Sequence, residues 1–350
     1  MEPPRAPKHV PENIAAKSQG RLMKEQKMMH EQAKELSELG IYVRWDEDLL
    51  TKVKALIIGP PDTPYQHGFF FFDVEFPANY PYSPPKVQFR TGDGRVRFNP
   101  NLYVEGKVCL SILGTWQGPG WTSICNLRSV LITIQSLMSS HPITNEPGHE
   151  NQIGKKDDVE YNKILTYETV NVGVLRMMQN PPKGFEIFKP EMGELFRKNF
   201  LAFEEVLRVY EPEQGKSLKA PLWMFSVKYD PKTVRTQLDK ILKELNKKTA
   251  QVEKQGSASD EGGLSNSGSG VNAGKATSSS GAAAGAGKKV SKDASKADAD
   301  GGAAGSKKSG KEDAVAGTAM KKPPATMKKA ATSDKADAGG PPMKKAKKEG

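Results

Sequence analysis

Between residues 41 and 90 four short runs read as strands, and the turns between them leave one way to pair. Residues 41–45 form a short run; Val53, Ala55 and Ile57 alternate within 52–58; residues 69–76 open with four phenylalanines; and 86–90 alternate again. Gly59-Pro60-Pro61-Asp62-Thr63-Pro64-Tyr65 and Pro77-Ala78-Asn79-Tyr80-Pro81-Tyr82-Ser83-Pro84-Pro85 separate them, and such clusters bend the backbone. Consecutive strands joined this tightly pair antiparallel, as a meander, since a parallel pair needs a longer crossover. Gly68 marks where the third strand starts, and its four phenylalanine rings are expected in a core.

Helical patterns flank the strands, so the fold class is α+β. In residues 18–39, Leu22, Met29, Ala33 and Leu36 fall near one face, and Gly40 follows as a C-cap. Lys24 and Lys27 lie off that face, as a solvated surface or a docking surface for an acidic partner. Leu127, Val130, Leu131, Ile134, Leu137 and Met138 recur at helical spacing and predict a buried-face helix over 123–139. Cys125, at its start, reads as a small apolar filler. Two more helices are expected at 160–178 and 190–211, split by Asn180-Pro181-Pro182, and a last one follows Pro231.

Charge is distributed unevenly. Residues 251–350 carry +7 of the net +11, with 18 lysines, 17 glycines, no arginine and no aromatic residue. Such a segment buries too little apolar surface to offset the entropy of ordering it. The chain therefore divides into a disordered N-terminus (1–16), a core domain (17–180), a helical C-terminal extension (181–249) and a disordered Lys/Ala/Gly-rich tail (250–350). The tail lacks aromatics for base stacking, so nucleic-acid binding is not expected of it. Pro341-Pro342-Met343-Lys344-Lys345-Ala346-Lys347-Lys348 has the form of a nuclear import signal. The chain opens without an apolar leader and has no run of about 18 apolar residues, so a reduced cytoplasmic and nuclear location, away from membranes, is expected. Two cysteines, Cys109 and Cys125, are too few for a structural zinc site.

One of those cysteines sits in a distinctive setting. Residues 97–114 combine the turn Asn99-Pro100-Asn101, a short apolar piece, a second turn at Glu105-Gly106, and Cys109 between Val108 and Leu110. An asparagine eight residues before a thiol, with a turn between, can fold back over the sulfur. This stretch resembles the active-site segment of ubiquitin-conjugating enzymes, in which Pro100, Asn101, Gly106, Cys109 and Leu110 match residue by residue. Asn99 departs from the pattern, standing where the family usually has His. The order Gly59-Pro60, Thr63-Pro64-Tyr65, Gly68-Phe69-Phe70, Tyr80-Pro81 and Pro84-Pro85 resembles the same family. The long loop Gly114-Thr115-Trp116-Gln117-Gly118-Pro119-Gly120-Trp121 and the segment Asn145-Glu146-Pro147-Gly148 are most similar to its Z type. Trp121 reads as a wedge under the following helix, and Trp116 as a partner contact or loop packing.

The resemblance implies a ubiquitin-conjugating fold: an N-terminal helix, a four-stranded antiparallel meander and C-terminal helices, here with a helical extension and a disordered tail. It implies that Cys109 accepts ubiquitin or a ubiquitin-like modifier from an activating enzyme as a thioester, then passes it to a substrate lysine or a ligase cysteine. A free thiol has a pKa of about 8.5, so some thiolate exists without a dedicated base. An amine nucleophile is harder, because a lysine near 10.4 is almost wholly protonated at neutral pH. Glu146, where the family often has Asp, is the candidate to orient that lysine and accept its proton. Asn101 is the candidate oxyanion donor or loop tie. Lys24 and Lys27 are implied in docking the activating enzyme, and Tyr82 stands at a position that contacts ligases. Ser123 and Ile124 lie where many members have the ligase-contacting Trp-Ser-Pro-Ala, from which Trp121-Thr122-Ser123-Ile124 departs, and Trp116 is a candidate partner contact. No metal or nucleotide is expected, because the ATP-dependent step occurs upstream. A cysteine protease and a non-catalytic ubiquitin-binding variant fit less well. The first lacks its flanking motifs, and the second would lack the cysteine.

Overall fold

In the computed structural model, which describes residues 16–260, the four expected strands form one antiparallel sheet in sequence order. They are β1 (Ile41–Trp45), β2 (Lys52–Ile58), β3 (Phe69–Glu75) and β4 (Lys86–Phe89). β2 and β3 pair from Lys52 opposite Glu75 to Ile58 opposite Phe69. The N-terminal segment before Ala16 and the tail beyond Asp260, both expected to be disordered, lie outside the described residues.

The N-terminal helix is broken once, into α1 (Ala16–Glu31) and α2 (Ala33–Glu38), where Gln32 leaves helical geometry. Leu22, Met29 and Leu36 are buried as the periodicity predicts. So is Glu25, a carboxylate on the buried face. It accepts hydrogen bonds from Tyr80 Oη (2.7 Å), Arg21 Nε (2.9 Å) and the backbone N–H of Leu127 (3.1 Å). Leu127 opens α3 (Leu127–Ser136), so the carboxylate faces the positive end of that helix.

The helix expected at 123–139 starts four residues late. Asn126 caps it, accepting from Ser129 N (2.8 Å), and Ser129 Oγ accepts in return from Asn126 N (3.0 Å). This reciprocal box satisfies two N–H groups that a longer helix would leave bare. Cys125 is therefore outside the helix, in a turn and half-buried, and not a core filler. Trp121 likewise packs elsewhere than expected. Its ring lies against Tyr80 (5.8 Å) and its Nε1 donates to Pro81 O (2.6 Å), so it braces the proline turn.

Beyond the cysteine segment, α4 (Lys156–Glu168) begins before residue 160 and runs into a π-helical stretch, Thr169–Arg176, before α5 (Met177–Gln179). The widened turn lies against β3, where Gly68 passes close to Thr169 and Gly173. Then come α6 (Lys189–Tyr210), a hairpin of β5 (Ser217–Lys219) with β6 (Ser226–Lys228), and α7 (Pro231–Asp260). The hairpin was not expected from the sequence. The tail boundary at 250 falls inside α7, because Lys247, Lys248, Ala250 and Gln251 continue the helix with favourable residues.

One face of the sheet is covered throughout and the other over half its area. Val53, Ala55, Ile57, Phe70 and Phe72 pack in a core with α1, α3 and the cysteine segment. Leu56, Ile58, Phe69 and Phe71 pack in a second core with Phe185, Phe188, Phe196 and Leu207 of the extension. The other half of the outer face stays open as a cleft lined by Arg44, Lys54, Asp73, Glu75 and Ile187.

Candidate active site

The cysteine segment is a small hairpin laid along β4. Leu102 bridges Val108, Tyr103 N donates to Lys107 O (2.9 Å), and Phe89 N of β4 donates to Gly106 O (2.8 Å). Gly106 closes the turn at φ 98°, and a Cβ there would come within 2.9 Å of Phe89 O, so only glycine fits both demands.

Asn101 and Cys109 face each other across this hairpin. Cys109 N donates to Asn101 O (2.9 Å), and Asn101 Nδ2 donates back to Cys109 O (2.7 Å). The amide thus ties the loop, as the sequence allowed, and retains a second N–H to offer. Thr115 grips the cysteine from the other direction. Its Oγ1 donates to Val108 O (2.7 Å) and accepts from Leu110 N (2.9 Å), clasping the two residues that flank Cys109. Cys109 is buried, only 1% exposed.

Asn99, where the resembled pattern has His, is a full replacement for a loop brace. It is wholly buried. Its Nδ2 donates to Tyr65 Oη (2.9 Å) and Leu137 O (2.8 Å), while its Oδ1 accepts from Asn101 N (3.0 Å). Burial pushes the Tyr65 phenol far above its usual pKa, so it stays neutral and donates to Phe98 O (2.6 Å). Asn145 joins the same network through Leu137 O (3.1 Å) and Asn99 Oδ1 (3.4 Å). The loop that carries Glu146 is thereby pinned to the turn that carries Asn101.

Glu146 follows directly, half-buried. Its carboxylate has no hydrogen-bond or ion-pair partner among the described residues, and it lies near enough to Tyr161 to help raise that phenol's pKa, which burial dominates. His141, at the start of this loop, is engaged elsewhere, 2.7 Å from the buried Asp158. On the other side of the hairpin, Arg97 Nη2 donates to Pro100 O (2.6 Å). Its guanidinium lies 3.8 Å from the Tyr103 ring and 4.6 Å from the ring of Trp223.

The expected partner-contact residues are all at the surface. Lys24 is exposed, Lys27 is exposed beside Glu31 (3.8 Å), and Tyr82, Ile124 and Ser123 stand out on either side of the Trp121–Pro81 bond. Trp116 is partly exposed in its loop.

Set beside known proteins, residues 21–167 match the sequence model of the ubiquitin-conjugating enzyme family. Ubiquitin-conjugating enzyme E2 Z of Xenopus tropicalis is 39% identical over 210 residues, covering 60% of this chain and 67% of the relative. The chain belongs to the ubiquitin-conjugating enzyme family. Members of this family are transferases. The E2 Z of Homo sapiens is 38% identical over 225 residues, 63% of this chain and 64% of that one, so the match spans about two thirds of each of these two relatives. The human dual ubiquitin-conjugating enzyme and ubiquitin-protein ligase BIRC6 is 44% identical over 160 residues, 43% of this chain and 3% of its own. These likenesses place the chain with the Z type. The family match begins inside α1 and ends at the last turn of α4, just before the π-helical stretch.

Within this ubiquitin-conjugating enzyme, sequence reasoning singled out Cys109, Asn101 and Asn99, and the structure brings these three together. It missed Thr115, Arg97, Tyr103 and Trp223. Arg97 and Tyr103 flank the Asn-Pro-Asn turn and carried a local signal. Trp223 is over a hundred residues away and carried none.

Proposed function

We propose that Cys109 is the carrier thiol of this transferase, accepting the C-terminal carboxyl group of ubiquitin or a ubiquitin-like modifier from an activating enzyme and passing it on. The Cys109 thiolate attacks the thioester carbonyl on the activating enzyme, whose own sulfur leaves as a thiolate. In the second step a lysine amine, or a ligase cysteine, attacks the new thioester, and Cys109 leaves as the thiolate. The observation that carries this reading is the reciprocal pairing of Asn101 with Cys109. It fixes an amide donor beside the reacting residue, and one N–H remains for the oxyanion that forms in each step. Removing such a donor costs about 2.7–4 kcal/mol of barrier.

Glu146 serves the lysine step. A carboxylate with no other partner is available to hold the incoming ammonium and take its proton. Lys24 and Lys27 on α1 suit an acidic surface of the activating enzyme, while Tyr82, Ser123, Ile124 and Trp116 form the surface for ligases. Thioester exchange and aminolysis proceed without a metal or nucleotide, since the ATP-dependent step occurs upstream.

Incubation with an activating enzyme, ATP and ubiquitin, or a ubiquitin-like modifier, gives a thiol-sensitive adduct that Cys109→Ala abolishes and Cys125→Ser retains. An adduct that survives Cys109→Ala would remove the assignment. Glu146→Ala slows discharge onto free lysine more at pH 7 than at pH 9, where the amine needs less help; equal slowing at both would leave Glu146 without a proton-accepting role.

A further inference from the structure

We propose that Trp223, at the tip of the β5–β6 hairpin, is a positioning residue for the cysteine loop, clamping Arg97 against Tyr103 so that Cys109 is presented in one geometry. This rests on the reading of Cys109 as the carrier thiol, and it gives the helical extension a part in the reaction.

The clamp has three members. The centre of the Trp223 ring lies 4.6 Å from the Arg97 guanidinium, and the centre of the Tyr103 ring lies 3.8 Å from it. A flat cation held against two rings is attracted to both π faces and loses freedom to rotate. What it holds is the catalytic turn. Arg97 Nη2 donates to Pro100 O (2.6 Å) and Nε lies 3.4 Å from Asn99 O. Tyr103 is two residues beyond Asn101 in the same small hairpin, paired to Lys107. The backbone of Arg97 is gripped as well, because Tyr161 Oη donates to Arg97 O (2.7 Å) and the Tyr161 ring contacts Trp223 (5.4 Å).

The hairpin is rooted in one core and reaches into the other. Ala220, Val227 and Tyr229 are buried in the outer core with the extension, whereas Leu222 and Trp223 pack on the inner core that holds the cysteine segment. The tip is bent to do so. Trp223 and Met224 both have left-handed backbones, at φ 59° and 53°, though neither is glycine. Two such residues in succession persist only where their surroundings hold them, and strain of this kind gathers at functional sites. Asn99 braces the turn from within the core, and Trp223 braces it from outside. The second brace is the one that the extension supplies.

The test uses the full chain with Cys125→Ser, so that alkylation reports Cys109 alone. In Trp223→Ala the single-turnover charging rate falls about tenfold, equivalent to about 1.4 kcal/mol, with the KM for the activating enzyme unchanged. Iodoacetamide reacts faster with Cys109, because a loosened loop opens more often. Trp223→Phe restores both readouts by keeping a flat ring. Arg97→Lys, which keeps the charge and loses the planar group, behaves as Trp223→Ala, and it decides the matter if Trp223→Ala does not fold. Charging within about twofold of the parent in both variants, failure of Trp223→Phe to rescue, or a raised KM at unchanged rate would overturn the proposal, the last by making Trp223 a docking contact. Failure of the underlying reading is distinct, since it would leave Cys109→Ala still charged.

Discussion

Phe70 and Phe72 pack in the core shared with α1, α3 and the cysteine segment, while their neighbours Phe69 and Phe71 pack in the core shared with the extension. An antiparallel strand with one wet face alternates apolar and polar residues; here both faces are dry, so the alternation disappears. Phe71 lies 4.8 Å from Phe185 and 6.2 Å from Phe188. Those contacts join the extension to the sheet, as Phe70, 5.5 Å from Phe98, joins it to the cysteine segment. The comparison teaches that the outer half is part of the folded unit, and no appendage to a smaller enzyme.

The strongest way to break that comparison is to empty each core in turn. Phe70→Ala and Phe71→Ala each lower unfolding free energy by about 3–5 kcal/mol in denaturant titrations. If the second costs under about 1 kcal/mol, the outer core is not cooperative with the inner one.

The next effect is set by pH. Glu168, buried where α4 meets the π-helical stretch, has its pKa pushed up by burial to about 7. The folded chain therefore keeps a proton that the unfolded chain, near 4.5, has released. Stability from this group falls as pH rises from about 4.5 to about 7, by on the order of 3 kcal/mol. Glu168→Gln is more stable than the parent at pH 8 and nearly equal to it at pH 4.5; a constant difference across that range contradicts the shift.

A smaller loss follows Asn99→Ala, which leaves Asn101 N without its acceptor, removes one bond each from Tyr65 and Leu137 O, and costs about 1–3 kcal/mol by thermal unfolding. Charging should fall with it, because Asn101 loses its brace. Smallest is Lys54→Ala on the open half of the outer face. Lys54 pairs with Asp73 (2.8 Å), partly exposed, and that pair contributes about 0.2–1 kcal/mol. A larger loss would show that the open cleft matters to stability as the filled half does.

The sequence showed the meander because proline-rich turns are local signals, and each strand begins where its turn residues end. It showed the cysteine hairpin for the same reason. It did not show that the phenylalanine run serves two cores, since a run of identical apolar residues has no period to read. Cys125 and the start of α3 were misplaced because apolar spacing outweighed the Asn126–Ser129 cap. Trp223 stayed hidden because its partners are distant in sequence, and the short strands beside it alternate over only three residues.

Four identical rings in a row also leave the strand without an internal ruler. Sliding β3 by one position would still offer a phenylalanine to nearly every place vacated. The ends must supply the alignment. At one end Gly68 passes so near Thr169 that a Cβ would come within 2.7 Å of its methyl; at the other, Asp73 is held by Lys54 and Arg90. A shifted strand would press a bulky ring against the π-helical turn and turn a carboxylate towards oil. The setting of the whole strand therefore rests on a glycine at one end and an aspartate at the other.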